Sequence, residues 1–283
     1  MYPAAFDYSA PSTVDDAVRL LAQLGDSAKL LAGGHSLLPL MKLRFAQPTH
    51  VVDLRRIPAL RGVRRDGQTL VIGAMTTYAE LVASREVFDV APAIADAASH
   101  IGDPQVRNAG TIGGSVAHAD PSADLPCVMV ALGASMVATG TGGQRTIAAD
   151  EFFRGVYTTA LDAGELLTEI RVPLSSARAG SAYAKHSHPA SRFALVGVAA
   201  TIELERMSHR VHQVRVAVTG VSDRPLRAIA VEEALIGNMP EPNVIGIAAA
   251  RLADAANEAG EYKARLACIC AEQALGKAAQ RAQ

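Results

Sequence analysis

Ala32-Gly33-Gly34-His35-Ser36 and Thr111-Ile112-Gly113-Gly114-Ser115 are two stretches cut to one pattern: a small or apolar residue, two glycines, then a polar side chain. Paired glycines tolerate positive φ and let a ligand approach the main chain where a Cβ would otherwise stand. Successive N–H groups in such a turn form a concavity suited to phosphate oxygens, and a following Ser adds a donor. One pair alone reads as a tight turn. Two of the same design predict loops that close on the two phosphates of one dinucleotide from opposite sides. The second pair also lies in residues 101–126, rich in Gly, Asp, Asn, His and Pro, which cannot be core strand or helix throughout. Long irregular segments inside compact domains are usually functional.

Bulk properties restrict the alternatives. A chain of 283 residues is long enough for two domains, each with its own core. Apolar residues make up 49% and charged residues 19%, as in ordinary globular proteins. The net charge of −1 leaves no electrostatic footprint for nucleic acid. The start, Met1-Tyr2-Pro3-Ala4-Ala5-Phe6-Asp7, lacks the basic and apolar segments of a signal peptide, and residues 193–202 are too few to span a bilayer as a helix. A cytoplasmic protein is expected. Cys127, Cys268 and Cys270 form no Cys-x-x-Cys pair and cannot build a four-cysteine iron–sulfur or zinc site. His118-Ala119-Asp120 and His186-Ser187-His188 each offer too few ligands for a metal, and neither Ser36 nor Ser115 sits in a nucleophile elbow.

The local pattern interleaves helices and strands. Val14, Ala17, Val18, Leu21 and Leu24 recur at helical spacing, started by Ser12-Thr13 and stopped by Gly25. Strands are predicted at 29–31, 50–54, 69–72, 135–139 and 166–172, the last ended by Pro173. Thr77 and Glu80 spell a capping box, and 93–98 reads as helix. A boundary falls near 175–180, where small and polar residues cluster. Beyond it, 195–204 and 211–221 form a hairpin candidate, followed by helices at 231–236, 244–257 and 263–279 laid on one face of a small antiparallel sheet. No Gly-x-Gly-x-x-Gly fingerprint joins a strand to a helix, which argues against a Rossmann site.

Together with these loops, Phe6-Asp7-Tyr8, Val106-Arg107-Asn108-Ala109-Gly110-Thr111, Ala117-His118-Ala119-Asp120-Pro121, Ala123-Asp124-Leu125-Pro126 and Ala194-Leu195-Val196-Gly197-Val198 give nearly the whole chain a family likeness. It resembles the FAD-binding medium subunit of the molybdenum hydroxylases, the family of aerobic carbon monoxide dehydrogenase and xanthine dehydrogenase. The resemblance implies an α+β fold. Residues 1–175 would form a vanillyl-alcohol-oxidase (PCMH)-type FAD-binding domain of two α+β lobes. Residues 176–283 would form a small antiparallel sheet with a helical layer, of the carbon monoxide dehydrogenase flavoprotein type.

The resemblance also implies roles. Ala32, Gly33, Gly34, His35 and Ser36, with Thr111, Ile112, Gly113, Gly114 and Ser115, would contact the FAD pyrophosphate, mostly through backbone N–H groups. Asp124 would accept hydrogen bonds from flavin-side hydroxyls, and as a local motif it also reads as a helix N-cap. Ile101 and Leu167 would sandwich the isoalloxazine ring, although both are equally common core residues. Lys185 would contact the cofactor, where local sequence alone reads a solvated lysine. Phe193 stands where many relatives carry Tyr, which keeps the packing surface, removes a hydroxyl and is expected to leave the flavin more accessible to an oxidant. Partners would be a large molybdenum subunit and a small subunit with two [2Fe–2S] clusters, in a dimer of heterotrimers, with NAD, a quinone or oxygen as acceptor. Two other readings stay open: a stand-alone FAD oxidoreductase of the same fold, and an assembly subunit without redox activity.

Overall fold

The computed structural model describes residues 2–174 and 176–283. The sequence-based boundary begins at Ser175, which lies outside the described residues. The N-terminal lobe is a three-stranded parallel sheet in the order β1-β3-β2, from β1 (Asp7–Ser9), β2 (Ala28–Leu31) and β3 (His50–Asp53), with α1 (Val14–Leu24) and α2 (Leu37–Lys42) as connections. Helix α1 begins and ends where its sequence signals lie. The Thr13 hydroxyl accepts from Asp16 N–H, and Gly25 closes it at φ 54°. Its buried Ala17, Val18 and Leu21 are the i, i+1, i+4 stripe of an amphipathic helix.

The second lobe is built on an antiparallel sheet in the order β4-β5-β10-β6-β7: β4 (Val63–Asp66), β5 (Thr69–Gly73), β6 (Ser135–Gly140), β7 (Gly143–Ala148) and β10 (Leu166–Pro173). Between β5 and β6 run α3 (Tyr78–Ala83), α4 (Arg85–Val90), α5 (Pro92–His100), α6 (Pro104–Ala109), α7 (Ile112–His118) and α8 (Asp124–Ala131). The expected capping box is formed at α3: Thr77 N–H donates to the Glu80 carboxylate at 2.7 Å, and Glu80 N–H to the Thr77 hydroxyl. Helix α9 (Ala149–Phe152) and the two-stranded β8 (Phe153–Gly155) and β9 (Thr158–Thr159) lead into β10.

Residues 101–126, read as irregular, hold α6, α7 and the start of α8. Helices this short carry too few periodic positions to announce themselves; Pro104 at the head of α6 and Thr111 as N-cap of α7 start them, and burial of Ile112 and Val116 holds α7 in place.

The last sheet is antiparallel, β11 (Ala179–Ser187), β12 (Ala194–Leu204), β13 (Val211–Thr219) and β14 (Leu226–Arg227), and β12–β13 is the expected hairpin. Helices α10 (Ile229–Leu235), α11 (Pro242–Ala250), α12 (Leu252–Ala255) and α13 (Glu261–Arg281) share one apolar core with one face of it. The single helix read at 244–257 is therefore broken, at Arg251. The opposite face is not open: Tyr183, Ala199 and Ala217 pack into the core of the second lobe with residues of α5 and α8. Burial on both faces explains why β12 reads as a near-continuous apolar run and not as an alternation. Asp96 of α5 clamps the two layers. Its carboxylate accepts from Lys277 (2.9 Å) and Arg281 (2.6 Å) of α13 and from Tyr183 N–H (3.3 Å) of β11.

Candidate functional site

The first glycine stretch leaves the C-terminal end of β2 and enters α2. Gly34 holds φ 77°, a conformation that a residue with a Cβ adopts at a cost. Among the described residues, the N–H groups of Gly33, Gly34, His35 and Ser36 meet no protein acceptor. Four consecutive free amides, the first two on the wall of a cavity, form a cradle for an anion. That cavity, of about 270 Å³, is lined by Gly33, Gly34, Asn108, Thr111 and two cations, Arg55 and Arg61, with Leu31, Leu38 and Met75 as its apolar wall.

The second glycine pair differs from its sequence-based picture. Gly113 and Gly114 lie in the first turn of α7 and not in a loop. Its N–H groups are already engaged: Ile112 donates to Thr76 O (3.0 Å), Gly113 to Ala74 O (2.8 Å), Gly114 to the Thr111 hydroxyl (3.1 Å) and Ser115 to Thr111 O (3.0 Å). The first-turn donors of this short helix are thus satisfied by carbonyls that follow β5 and by its own cap. Close packing is what these glycines provide. A Cβ on Gly113 would stand 2.5 Å from Ala74 Cβ and 2.6 Å from Ala74 O.

The two stretches do meet. A Cβ on Gly33 would run into Ala109 O and lie 2.7 Å from Gly110 Cα, and one on Gly114 would lie 3.3 Å from the Ala32 methyl. Ala32, Gly33, Gly34 and Thr111 therefore border one site, with the open donors on the first side and close-packed glycine on the second.

Asp124, Lys185 and Tyr183 form a second, buried cluster. Asp124 is the first residue of α8 and not its N-cap, which is Ala123. One carboxylate oxygen accepts from the Tyr183 hydroxyl at 2.5 Å and the other from Lys185 Nζ at 2.9 Å. Lys185 also reaches His100 O at 3.4 Å, and its side chain has no exposed surface, contrary to the solvated lysine of the local reading. Burial pushes the Asp124 acid up, against the pull of the Lys185 ammonium and the Tyr183 hydroxyl; burial and the Asp124 charge together raise the Tyr183 phenol. Tyr183 was missed from sequence, though it is two residues before Lys185 on one strand and so on the same face. A Cβ at residue 197 would collide with its hydroxyl, which explains Gly197 within an apolar strand.

Ile101 follows α5 and is half-buried; Leu167 on β10 is buried, and both pack on the same apolar core. Arg107 holds the 101–102 turn by donating to Ile101 O at 2.9 Å. Phe193 is 46% exposed and ends a turn in which His188 N–H donates to Phe193 O at 2.8 Å. Gly102 faces the neighbouring Arg192 side chain, so this turn flanks the one carrying Ile101. His188 Nδ1 accepts from Ala190 and Ser191 N–H, and His118 stacks on Tyr157 at 4.8 Å. Among the described residues no three His, Cys, Asp or Glu side chains gather as metal ligands, and no helix is long and apolar enough to cross a membrane.

Residues 4–175 match the family model of the FAD binding domain in molybdopterin dehydrogenase, and residues 181–278 that of the CO dehydrogenase flavoprotein C-terminal domain. The chain belongs to the FAD-binding medium subunits of the molybdenum hydroxylases. It is 47% identical over 237 residues to the carbon monoxide dehydrogenase medium chain of Hydrogenophaga pseudoflava, covering 84% of this chain and 82% of that one. With the carbon monoxide dehydrogenase medium chain of Afipia carboxidovorans it shares 39% identity over the full length of both. The solved carbon monoxide dehydrogenase of Hydrogenophaga pseudoflava that lacks the Mo-pyranopterin moiety superposes with a TM-score of 0.93 at 44% identity, over 99% of each chain. Members of this family are FAD-dependent oxidoreductase subunits, and the cradle at Gly33–Ser36 with its cationic, part-apolar cavity fits the anionic part of such a dinucleotide.

Proposed function

We propose that this chain is the electron-output subunit of a heteromeric molybdenum hydroxylase. Its partners are a large subunit with the molybdenum cofactor and a small subunit with two [2Fe–2S] clusters, assembled as a dimer of heterotrimers. FAD bound to this chain supplies the redox chemistry that links those clusters to NAD, a quinone or oxygen. Residues 1–175 serve as the FAD-binding domain and 176–283 as the C-terminal domain that completes the site through Tyr183 and Lys185. The observation that carries this reading is the full-length likeness to medium chains, in a chain whose three cysteines cannot hold a cluster of their own.

The residues divide the work by their chemistry. Free N–H groups of Gly33, Gly34, His35 and Ser36 receive phosphate oxygens, and Thr111 borders the same place. Ile112, Gly113, Gly114 and Ser115 set the closeness of approach. Asp124 and Lys185 form a hydrogen-bonded ion pair away from water, next to the turn carrying Ile101, while Leu167 and Ile101 exclude water. The test is a flavin absorption spectrum with iron and molybdenum analysis on protein purified from its native host. Flavin with both metals supports the reading; flavin alone favours a stand-alone enzyme, and absent flavin after gentle purification contradicts it.

A further inference from the structure

Arg55 lines the cavity beside Gly33 and Gly34, yet neither glycine pair nor buried cluster accounts for the way it is held. Asp53, at the end of β3, is 1% exposed. Its Oδ1 accepts the backbone N–H of Arg55 at 2.9 Å, and its Oδ2 accepts from Arg55 Nε at 2.9 Å, Arg55 Nη2 at 2.7 Å and the Tyr8 hydroxyl at 2.7 Å. Burial would raise the Asp53 acid, but these donors outweigh it and hold the carboxyl below its usual value of 3.8, so it stays charged and keeps its grip. Arg55 is thus a mostly exposed guanidinium fixed from behind through Nε and Nη2. Most exposed arginines wander; this one has its entropy removed in advance, as a preorganised ligand grip requires.

What would the fork receive? Among the described residues, the charged side chains lining the cavity are Arg55 and Arg61, with no carboxylate. With the free amides of Gly33 and Gly34 on the same border and those of His35 and Ser36 next in the chain, the site calls for an anion. The cavity, about 270 Å³, falls just short of the usual range for whole ligands and so suits half of a dinucleotide. Leu31, Leu38 and Met75 offer apolar faces for a flat base, while the Asp124–Lys185 pair lies by the turn carrying Ile101 and outside this lining.

We propose that Arg55, positioned by Asp53 and Tyr8, grips the anionic adenylate half of the cofactor and thereby selects FAD over FMN. This rests on the flavin-subunit reading above. The pair of aromatic hydroxyl and buried carboxylate acts only through Arg55: Tyr8 fixes Asp53, and Asp53 orients the fork.

The test titrates the full chain, freed of flavin, with FAD, FMN and ADP by calorimetry and flavin fluorescence, alongside thermal unfolding. Arg55→Gln is expected to weaken FAD and ADP together by about 10- to 100-fold, the worth of a charge-assisted hydrogen bond, and to leave FMN unchanged. Arg55→Lys, which keeps charge without the fork, should recover part of the loss. Tyr8→Phe should shift FAD and ADP in the same direction by a smaller factor, with FMN again unmoved. Equal weakening of FAD and FMN, or no change in any ligand, overturns the assignment while leaving the subunit a flavoprotein. A wild-type chain that takes up FMN and FAD equally overturns the selection; one that takes up neither contradicts the flavin-subunit reading itself.

Discussion

The two sides of the site are built from opposite kinds of hydrogen bonding. At Gly33–Ser36 four amides are left without partners beside a cavity. At Ile112–Ser115 every amide is engaged, and deeper in, Asp124, Tyr183 and Lys185 satisfy one another. An open set of donors gains its partners from a ligand, so its mutation should change affinity more than stability. A closed set has its partners already, so its mutation should change stability first.

The largest effect is expected on the closed side. Lys185→Met leaves the Asp124 carboxylate buried without its cation, a loss of about 3–5 kcal/mol in unfolding free energy at neutral pH. Because burial raises the Asp124 acid, the deficit should shrink as the pH is lowered and the carboxyl takes a proton. Denaturant unfolding of the variant across pH checks the sign; a deficit that grows on acidification would break the picture.

Next come the glycines. Gly113→Ala must push Ala74 aside, main chain included, and should cost about 1–3 kcal/mol. Gly34→Ala meets only the end of the Leu38 side chain, so its cost is that of φ 77°, about 1–2 kcal/mol. The comparison is sharpened by measuring FAD affinity relative to lost stability. Gly34→Ala should lose proportionally more affinity, since it displaces donors; equal ratios would make the two sides alike.

The smallest effect on flavin binding lies outside both sides. Asp96 is held below its usual 3.8: burial opposes its ionisation, but bonds from Arg281 and Lys277 prevail. A depressed folded value means that its contribution is complete above the unfolded pKa and is lost as the pH falls through the folded one. Asp96→Asn should therefore lower stability at pH 7 by about 1–3 kcal/mol and make no difference in strong acid, with flavin affinity changed only slightly.

Much of this was legible from sequence. Thr13 and Gly25 delimit α1, Thr77 and Glu80 form the capping box, and β12–β13 is the hairpin, because each is governed by neighbours along the chain. Strand β11 was passed over: Ala179-Gly180-Ser181-Ala182 lacks β-branched residues, and its strand state comes from pairing with β12 and packing on α5 and α13. The glycine pairs were legible as two stretches that meet but not as unlike halves. Which amides are free depends on where the carbonyls of Ala74 and Thr76 fall, and those are set by a different strand and turn. Lys185 looked solvated for the same reason: its burial comes from Asp124 on α8 and from His100 on α5.

The most direct measurement is amide hydrogen exchange on the full chain with and without FAD. Protection gained at Gly33–Ser36, with 112–115 slow to exchange before FAD is added and little changed after it, is the expected result. Fast exchange at 112–115 in the free protein, with the main gain of protection there, would contradict the division of the site into an open and a closed side.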